Sequence, residues 1–399
     1  PAVITSNKRD IVDATRDPRS ELGRVRVFDL QGLIGEPADW WWNPLSYVVD
    51  VSTATKLAEH FAMDSRGANA QTDAYFEPAG QELLANLLLA AALDDLPITQ
   101  VYSWTSNPKD DTPEQILRQA GPNYRLAADS VRGILLAPEK QRGGVYGTAR
   151  QMASCLRNPQ VARWVTSTGT LDKRPQFDPA RFVRSTDTLY LVSREGKDSA
   201  GALVTALTVA VCEAAEAAAA NMRHGRLSAP LLAVLDEAAN VCRWAELPNL
   251  YSHYGSRGIL LMTILQSWSQ GVEVWGERGM SKLWSSANIA TYGGGVRDVS
   301  FLSTLSQLVD RYEAPTHSHS YQPRADGGGL FASNRSTSIS SRPEDILSVG
   351  DLGAMPPGRA LVLASGTPPT LIETVPWWDH EWAPAVQASL AAHDPGGAP

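Results

Sequence analysis

Two successive carboxylates, Asp236 and Glu237, end the apolar run Leu231-Leu232-Ala233-Val234-Leu235. Such a run reads as a strand covered on both faces of a parallel sheet, and it delivers its last residues to the C-terminal sheet edge, where open α/β sheets bind ligands. There the first carboxylate suits Mg²⁺, held through water because Mg²⁺ keeps most of its hydration shell. The second suits orienting and polarising a water that attacks a phosphoryl group. A strand ending in Asp-Glu is common by itself. What makes the pair specific is a second buried run, Gly258 to Leu265, which ends in the polar Gln266 and continues Ser267-Trp268-Ser269-Gln270. A glutamine amide beside the carboxylates can donate to a phosphate oxygen and accept from the lytic water.

The elements that must position these residues read as an α/β fold. Strand-like runs recur at Ala2–Thr5, Val25–Asp29, Thr188–Ser193, Leu231–Asp236, Gly258–Gln266, Asn288–Tyr292, Ala360–Ala364 and Thr370–Val375. Several are continuously apolar, as in a mostly parallel sheet sandwiched by helices. Helical segments, Ala200–Met222 and Gln270–Ser285, separate some of them. The gap between the second and third runs is far too long for a crossover loop and has helical periodicity: Tyr75, Phe76, Ala79, Leu83, Leu87 and Ala91 share one face, and Gly144–Arg163 reads as another helix. The expected organisation is a nucleotide-domain segment at 1–50, an inserted all-α domain at 51–176, the rest of the first domain at 177–382, and a disordered tail at 383–399. Within the third part, the Gly/Ser/Asn/His composition of 316–341 predicts a flexible loop.

Composition excludes some classes. The 399 residues are 43% hydrophobic and 20% charged with a net charge of −8, so the whole chain is no general polyanion binder, and any nucleic-acid contact needs a local basic patch. One exists: between Gly121 and Arg174, nine basic residues face three acids, with Arg142, Arg150 and Arg157 among them. Arg150 and Arg157 are seven apart, which predicts one helical face. Cys155, Cys212 and Cys242 form no metal-binding spacing, and their odd number argues against a disulfide framework. Gly201–Ala220 is the best candidate for a membrane span, but Glu213 and Glu216 interrupt it, and it reads as a buried helix. The tryptophan clusters Trp40-Trp41-Trp42 and Trp377-Trp378 read as packing rather than base stacking. His317 and His319 lack further metal ligands and read as solvent-exposed. The chain opens with Pro1 directly on a strand-like run, and is read as a piece whose beginning lies upstream.

Taken together, Leu235-Asp236-Glu237-Ala238-Ala239-Asn240, Leu247-Pro248-Asn249-Leu250 and Gly258 to Gln270 resemble the core of TraG/TraD conjugative coupling proteins, the DNA-transfer ATPases of type IV secretion systems. Val25–Asp29 followed by Trp42-Asn43-Pro44-Leu45, Ala74-Tyr75-Phe76 through Leu89, and Arg342-Pro343-Glu344-Asp345-Ile346 through Gly358 and Pro368-Pro369 resemble further parts of that family. The resemblance implies a RecA-like P-loop NTPase sheet in which the Asp-Glu strand is the Walker B motif. Asp236 would organise Mg²⁺, Glu237 would activate water, and Gln266 would sense the γ-phosphate of ATP. The family's arginine completing a neighbouring subunit's site falls at Gly255 here, and Arg257 is the substitute candidate. Also implied are a homohexamer at the cytoplasmic side of the bacterial inner membrane, anchored by N-terminal helices, and single-stranded DNA with its relaxase as substrate. Relaxosome and secretion-channel proteins would be partners, and Arg142, Arg150 and Arg157 would contact DNA phosphates.

One family feature is absent from the sequence, the phosphate-binding loop GxxxxGK[ST]. The only Gly-Lys pair, Gly196-Lys197, lacks the first glycine and the following Ser/Thr, and reads as a strand-to-helix turn. The loop is expected upstream of Ala2, so this chain alone should bind ATP poorly and hydrolyse none. Two other readings stay open: an FtsK/HerA-like ring motor that moves double-stranded DNA or protein, and a receptor that recruits substrate without hydrolysis.

Overall fold

A computed structural model describes residues 1–66, 73–196, 199–323 and 333–395; at 314–323, 333–340 and 342 it gives the backbone alone. Two compact units result, one of Pro1–Ser286 with Glu381–Pro399 and one of Ala287–His380.

The first unit is built on an all-parallel sheet of β1 (Ala2–Ser6), β2 (Val25–Asp29), β3 (Thr188–Val192), β4 (Leu231–Leu235) and β5 (Ile259–Thr263), in the order β2-β3-β1-β4-β5. Every residue of β1 and β3 is buried, the physical reason those runs carry no polar alternation. Register brings the C-terminal ends level: Asp29 and Ser6 both lie opposite Val192, Thr5 opposite Leu235, and Leu235 opposite Thr263. Polar residues just past each strand therefore converge on one edge. On one face, α1 (Asp10–Ser20) contributes Val12 to a cluster with Ala2, Ile4, Val27, Tyr190 and Val192. Over β4 and β5 that face is open, leaving Leu232 41%, Leu260 43%, Met262 56% and Ile264 43% exposed. β5 is also the sheet's outer strand, where Tyr251 Oη donates to Leu261 O (3.0 Å) on the edge and the apolar face stands uncovered.

Between β2 and β3 the described elements are helices. They are α2 (Val51–Ser65), α3 (Phe76–Leu93), α4 (Thr99–Ser106), α5 (Thr112–Gln119), α6 (Arg125–Leu135), α7 (Glu139–Met152), α8 (Pro159–Val165) and the short α9 (Pro179–Phe182), with 3₁₀ turns between some of them. Where the chain enters and leaves this stretch it is tied to itself: Phe177 N donates to Trp41 O (2.7 Å) and Trp41 N to Pro175 O (3.2 Å). Trp40 and Trp42 are buried at this seam, Trp40 packing on Phe28, Trp164 and Phe177. α10 (Gly201–Ala220) is the one described helix long and apolar enough to cross a membrane, and 78% of its most apolar window is buried inside the protein. Its interrupting acids lie on the wetter side, Glu213 paired with Lys56 (2.8 Å) and Glu216 with His253 (2.7 Å). The three cysteines are free thiols. α11 (Ala238–Val241), α12 (Leu247–Arg257) and α13 (Trp268–Ser286) follow the last two strands of the sheet.

The second unit holds the remaining strands, so the stretch expected to run as one domain from 177 to 382 divides at Ala287. β6 (Ile289–Tyr292) and α14 (Val299–Val309) precede a long hairpin of β7 (Arg311–Pro323) and β8 (Ser333–Asp345); α15 (Val349–Gly353), β9 (Arg359–Ala364) and β10 (Thr370–Glu373) follow. β6, β9 and β10 make an antiparallel sheet of their own. β6 and β9 are only partly buried, unlike the fully buried β1 and β3, and β10 is exposed at every residue. The flexible loop expected over 316–341 is replaced by paired strands wherever it is described, in a two-stranded antiparallel ladder that pairs the inward-facing half of its backbone N–H and C=O groups. Residues 324–332 of that expectation lie outside the described residues, as do the side chains of His317 and His319.

The expected disordered tail is also corrected. Its residues form α16 (Ala383–His393), which packs on α1. Ala383 and Val386 are buried, Ser389 Oγ donates to Asp13 O (2.5 Å), and His393 pairs with Asp17 (2.9 Å). The Pro/Gly/Ala-rich ending misled because an alanine-rich stretch is helix-forming once a surface receives it. Residues 396–399 lie outside the described residues.

Candidate functional site

The turn leaving β4 is fastened on both sides. Thr5 Oγ1, on β1, donates to the carbonyl of Asp236 (2.9 Å). Toward β5, Ile264 N donates to Leu235 O (3.0 Å) and Ala238 N to Ile264 O (3.3 Å). Held this way, Glu237 adopts a left-handed backbone, φ 51° and ψ 42°. For a residue with a Cβ that conformation costs roughly 1–2 kcal/mol, and strain of this kind concentrates at functional turns.

The fold brings Glu237 and Gln266 together: Gln266 Nε2 donates to Glu237 Oε1 at 2.7 Å. Gln270 Nε2 lies 3.4 Å from Gln266 Oε1, one helical turn further on. Asp236 is half-buried, and its carboxyl is held above the ordinary carboxylate range, first by burial and next by the charge of Glu237; the Glu237 N–H and Lys8 act in the opposite sense. A carboxyl disfavoured as an anion by its neighbours is one that a cation stabilises. Among the described residues no group of three His, Cys, Asp or Glu is arranged to hold a metal ion.

Three further residues at this edge were given no role from the sequence, although Asn240 closes the run Leu235–Asn240 named there. Asn240 Nδ2 donates to Glu237 Oε2 (3.0 Å) and to Glu195 Oε1 (3.1 Å), and Asn7 Nδ2 donates to the same Glu195 oxygen. Asn7 follows β1, Glu195 follows β3, and Asn240 follows β4 in α11. The signal that could have found them is their place just past strand ends, the same rule that singled out Asp236 and Gln266.

Arg257 lies elsewhere. It ends α12 just before β5, so the five-residue strand separates it from Gln266, about 17 Å at some 3.3 Å per residue. Within one chain it does not reach Glu237.

The basic patch divides. Arg150 and Arg157 do not share a helical face: α7 ends at Met152, and Arg157 sits in a separate 3₁₀ turn. α7 stops at its C-cap, Ala153 (φ −82°, ψ 12°), and Pro159 then ends the 3₁₀ turn, because it holds Asn158 extended (φ −78°, ψ 119°). The expected helix Gly144–Arg163 is accordingly broken into α7, the turn and α8. Arg142 Nη1 donates to Leu135 O (2.9 Å) and Ala137 O (3.4 Å), closing the C-terminus of α6. Arg118 and Arg132 both reach Glu114, and Arg174 holds Asp172 with the carbonyls of Arg163 and Thr166. Arg150 and Arg157 are exposed. Arg157 lines a cavity of about 530 Å³ with Gln31, Asn158, Gln160, Arg194 and Ser199, beside the C-terminal ends of β2 and β3.

Residues 230–357 match the family described as the TraM recognition site of TraD and TraG. No curated protein matches the chain. Among solved structures, the chain is similar to the bacterial conjugative coupling protein TrwBdeltaN70 in its unbound form, with 16% identity and a TM-score of 0.57 over 94% of this chain and 84% of that one. The plasmid coupling protein TrwB with the ATP analogue ADPNP aligns with 16% identity and a TM-score of 0.61 over 94% and 78%. TrwB with ADP and Mg²⁺ aligns with 15% identity and a TM-score of 0.57 over 94% and 85%. The segment 230–357, from the carboxylate-bearing strand through most of the second unit, thus matches the TraD/TraG recognition family, on a chain whose fold is similar to that of the TrwB structures.

Proposed function

We propose that the protein is a coupling-protein ATPase that uses ATP hydrolysis to recruit DNA with its relaxase and move it into a type IV secretion channel. The observation that carries this reading is the 2.7 Å bond between Gln266 and Glu237, at level strand ends beside half-buried Asp236. A base and a sensor on adjoining strands can act on one γ-phosphate only if the sheet brings them within a hydrogen bond. ATP and Mg²⁺ are the ligands that fit. TrwB, which has a similar fold, has solved structures in complex with ADPNP and with ADP and Mg²⁺. A single raised carboxyl suits Mg²⁺, which takes one or two carboxylates and fills its shell with water and phosphate oxygens. Asp236 would hold the ion through water, Glu237 would orient the attacking water, and Gln266 would turn its amide toward the phosphate.

The phosphate-cradling loop is not in this sequence, and the outer edge of β5, where Tyr251 Oη would give up Leu261 O, suits the strand that would bring it. A parallel strand there, with its helix over Leu232, Leu260, Met262 and Ile264, would cover the exposed face and deliver the loop to the carboxylates. The all-helical stretch 51–176 would receive DNA, with Arg157 and Arg194 around their cavity as phosphate contacts. Arg257, far from its own chain's site, would act only on a neighbouring copy in a homohexamer anchored at the inner membrane.

The test is ATP hydrolysis by the protein extended upstream to include GxxxxGK[ST]. Hydrolysis stimulated by DNA, and reduced about a hundredfold or more in Glu237→Gln with nucleotide binding retained, is the expected result. No hydrolysis by the extended protein, with relaxase binding intact, would leave the substrate-receptor reading in its place.

A further inference from the structure

We propose that Asn240 is a positioning residue for Glu237, and that Glu195 fixes the Asn240 amide in the orientation this requires; the inference rests on the ATPase reading above. The Asn240 Nδ2 nitrogen lies 3.0 Å from Glu237 Oε2 and 3.1 Å from Glu195 Oε1. An amide nitrogen carries two N–H donors, and here each has its own carboxylate. Rotated by half a turn, the amide would press its oxygen against two carboxylate oxygens, so the two acids select one orientation. Glu195 is itself fixed, because the same oxygen accepts from Asn7 Nδ2 at the end of β1. The chain Asn7–Glu195–Asn240 therefore ties the ends of β1 and β3 to the carboxylate that follows β4.

The consequence for Glu237 is geometric. Its left-handed backbone sets where the side chain starts, and flexible torsions would still let the carboxylate swing. Asn240 on Oε2 and Gln266 on Oε1 hold it by both oxygens. Each oxygen has two lone pairs, so each keeps one free for a water O–H. The site thus presents a fixed acceptor pair to the attacking water, and that pair stays aligned by Asn240 when Gln266 turns to the phosphate. The backbone of the turn does not depend on the Asn240 side chain: Asn240 N and Val241 N donate to Glu237 O (2.8 and 3.0 Å), and Cys242 N to Ala238 O (3.2 Å).

Two measurements test this. In the present chain labelled with ¹⁵N-asparagine, the Asn240 side-chain amide signals, identified by their loss in Asn240→Ala, are expected to shift in both Glu195→Ala and Glu237→Ala. Signals unmoved in either variant overturn the network. In the protein extended to include its phosphate-binding loop, Asn240→Ala is expected to lower kcat about tenfold with the KM for ATP unchanged, since Asn240 acts through Glu237 and touches no nucleotide. Glu195→Ala should lower kcat less, and the double variant should be no worse than Asn240→Ala alone, because both act along one path. A raised KM with kcat intact, or additive losses, overturns the positioning role while leaving the ATPase reading standing. Hydrolysis that survives Glu237→Gln instead removes Glu237 from the reaction, and this inference with it, whereas absence of hydrolysis in the extended parent removes the ATPase reading itself.

Discussion

His60, in α2, is 4% exposed, and neither ring nitrogen has a hydrogen-bond partner among the described residues. Burial, and secondarily Lys56, pushes its pKa down to about 4, from 6.5 for a free imidazole. The folded protein therefore holds this ring neutral, while the unfolded chain protonates it below about pH 6.5. The sign follows: the contribution of His60 is at its full value above pH 6.5, is lost as pH falls toward 4, and changes no further below. Over that window the loss amounts to about 3 kcal/mol, at roughly 1.4 kcal/mol per pH unit. Replacing the ring with an apolar side chain removes the titration and the two unpaired polar atoms together. His60→Leu is therefore expected to be neutral or stabilising by about 1 kcal/mol at pH 7, and to gain about 3 kcal/mol on the parent by pH 4. Urea unfolding of both proteins between pH 7 and pH 4, followed by tryptophan fluorescence, reads the difference, from which the carboxylates common to both cancel. A difference that stays constant across that range would refute the buried neutral imidazole.

Other expectations follow from the same contacts. Removing α16 by ending the chain at Trp382 should lower stability by about 3 kcal/mol, from the buried Val386 side chain and the Ser389 hydrogen bond; an unchanged urea midpoint would mean that the helix does not dock. Arg142→Ala should weaken folding by about 1 kcal/mol, through the lost α6 carbonyl contacts, and leave DNA affinity unchanged. Arg157→Ala should do the reverse, reducing the salt dependence of DNA binding by about one unit of slope. Filter binding over a salt series separates the two arginines, and identical slopes for both would remove Arg157 from the DNA path. Met262→Glu should change the stability of the present chain by less than about 0.5 kcal/mol, because the side chain is solvated, yet destabilise the upstream-extended protein by about 2 kcal/mol or more, where a strand and helix would bury it. Equal effects in both would exclude that cover.

The five parallel strands were legible because burial on both faces demands continuous apolar runs, and β1 to β4 start where those runs start. Asp236, Glu237 and Gln266 were legible for a related reason, as polar residues closing apolar strands. By itself, then, the sequence determined the sheet, its ligand-binding edge and the chemistry of the residues delivered there. It did not separate β6 and β9 from that sheet, since a short apolar run carries no record of which neighbour it will pair with. Nor did it distinguish a docked helix from a loose tail at 383–393, where the decision lay with α1, almost the whole chain away. Asn7, Glu195 and Asn240 are ordinary polar residues locally. They become one network only when β1, β3 and β4 end level, and that register is set by long-range pairing rather than by anything within reach of each residue along the chain.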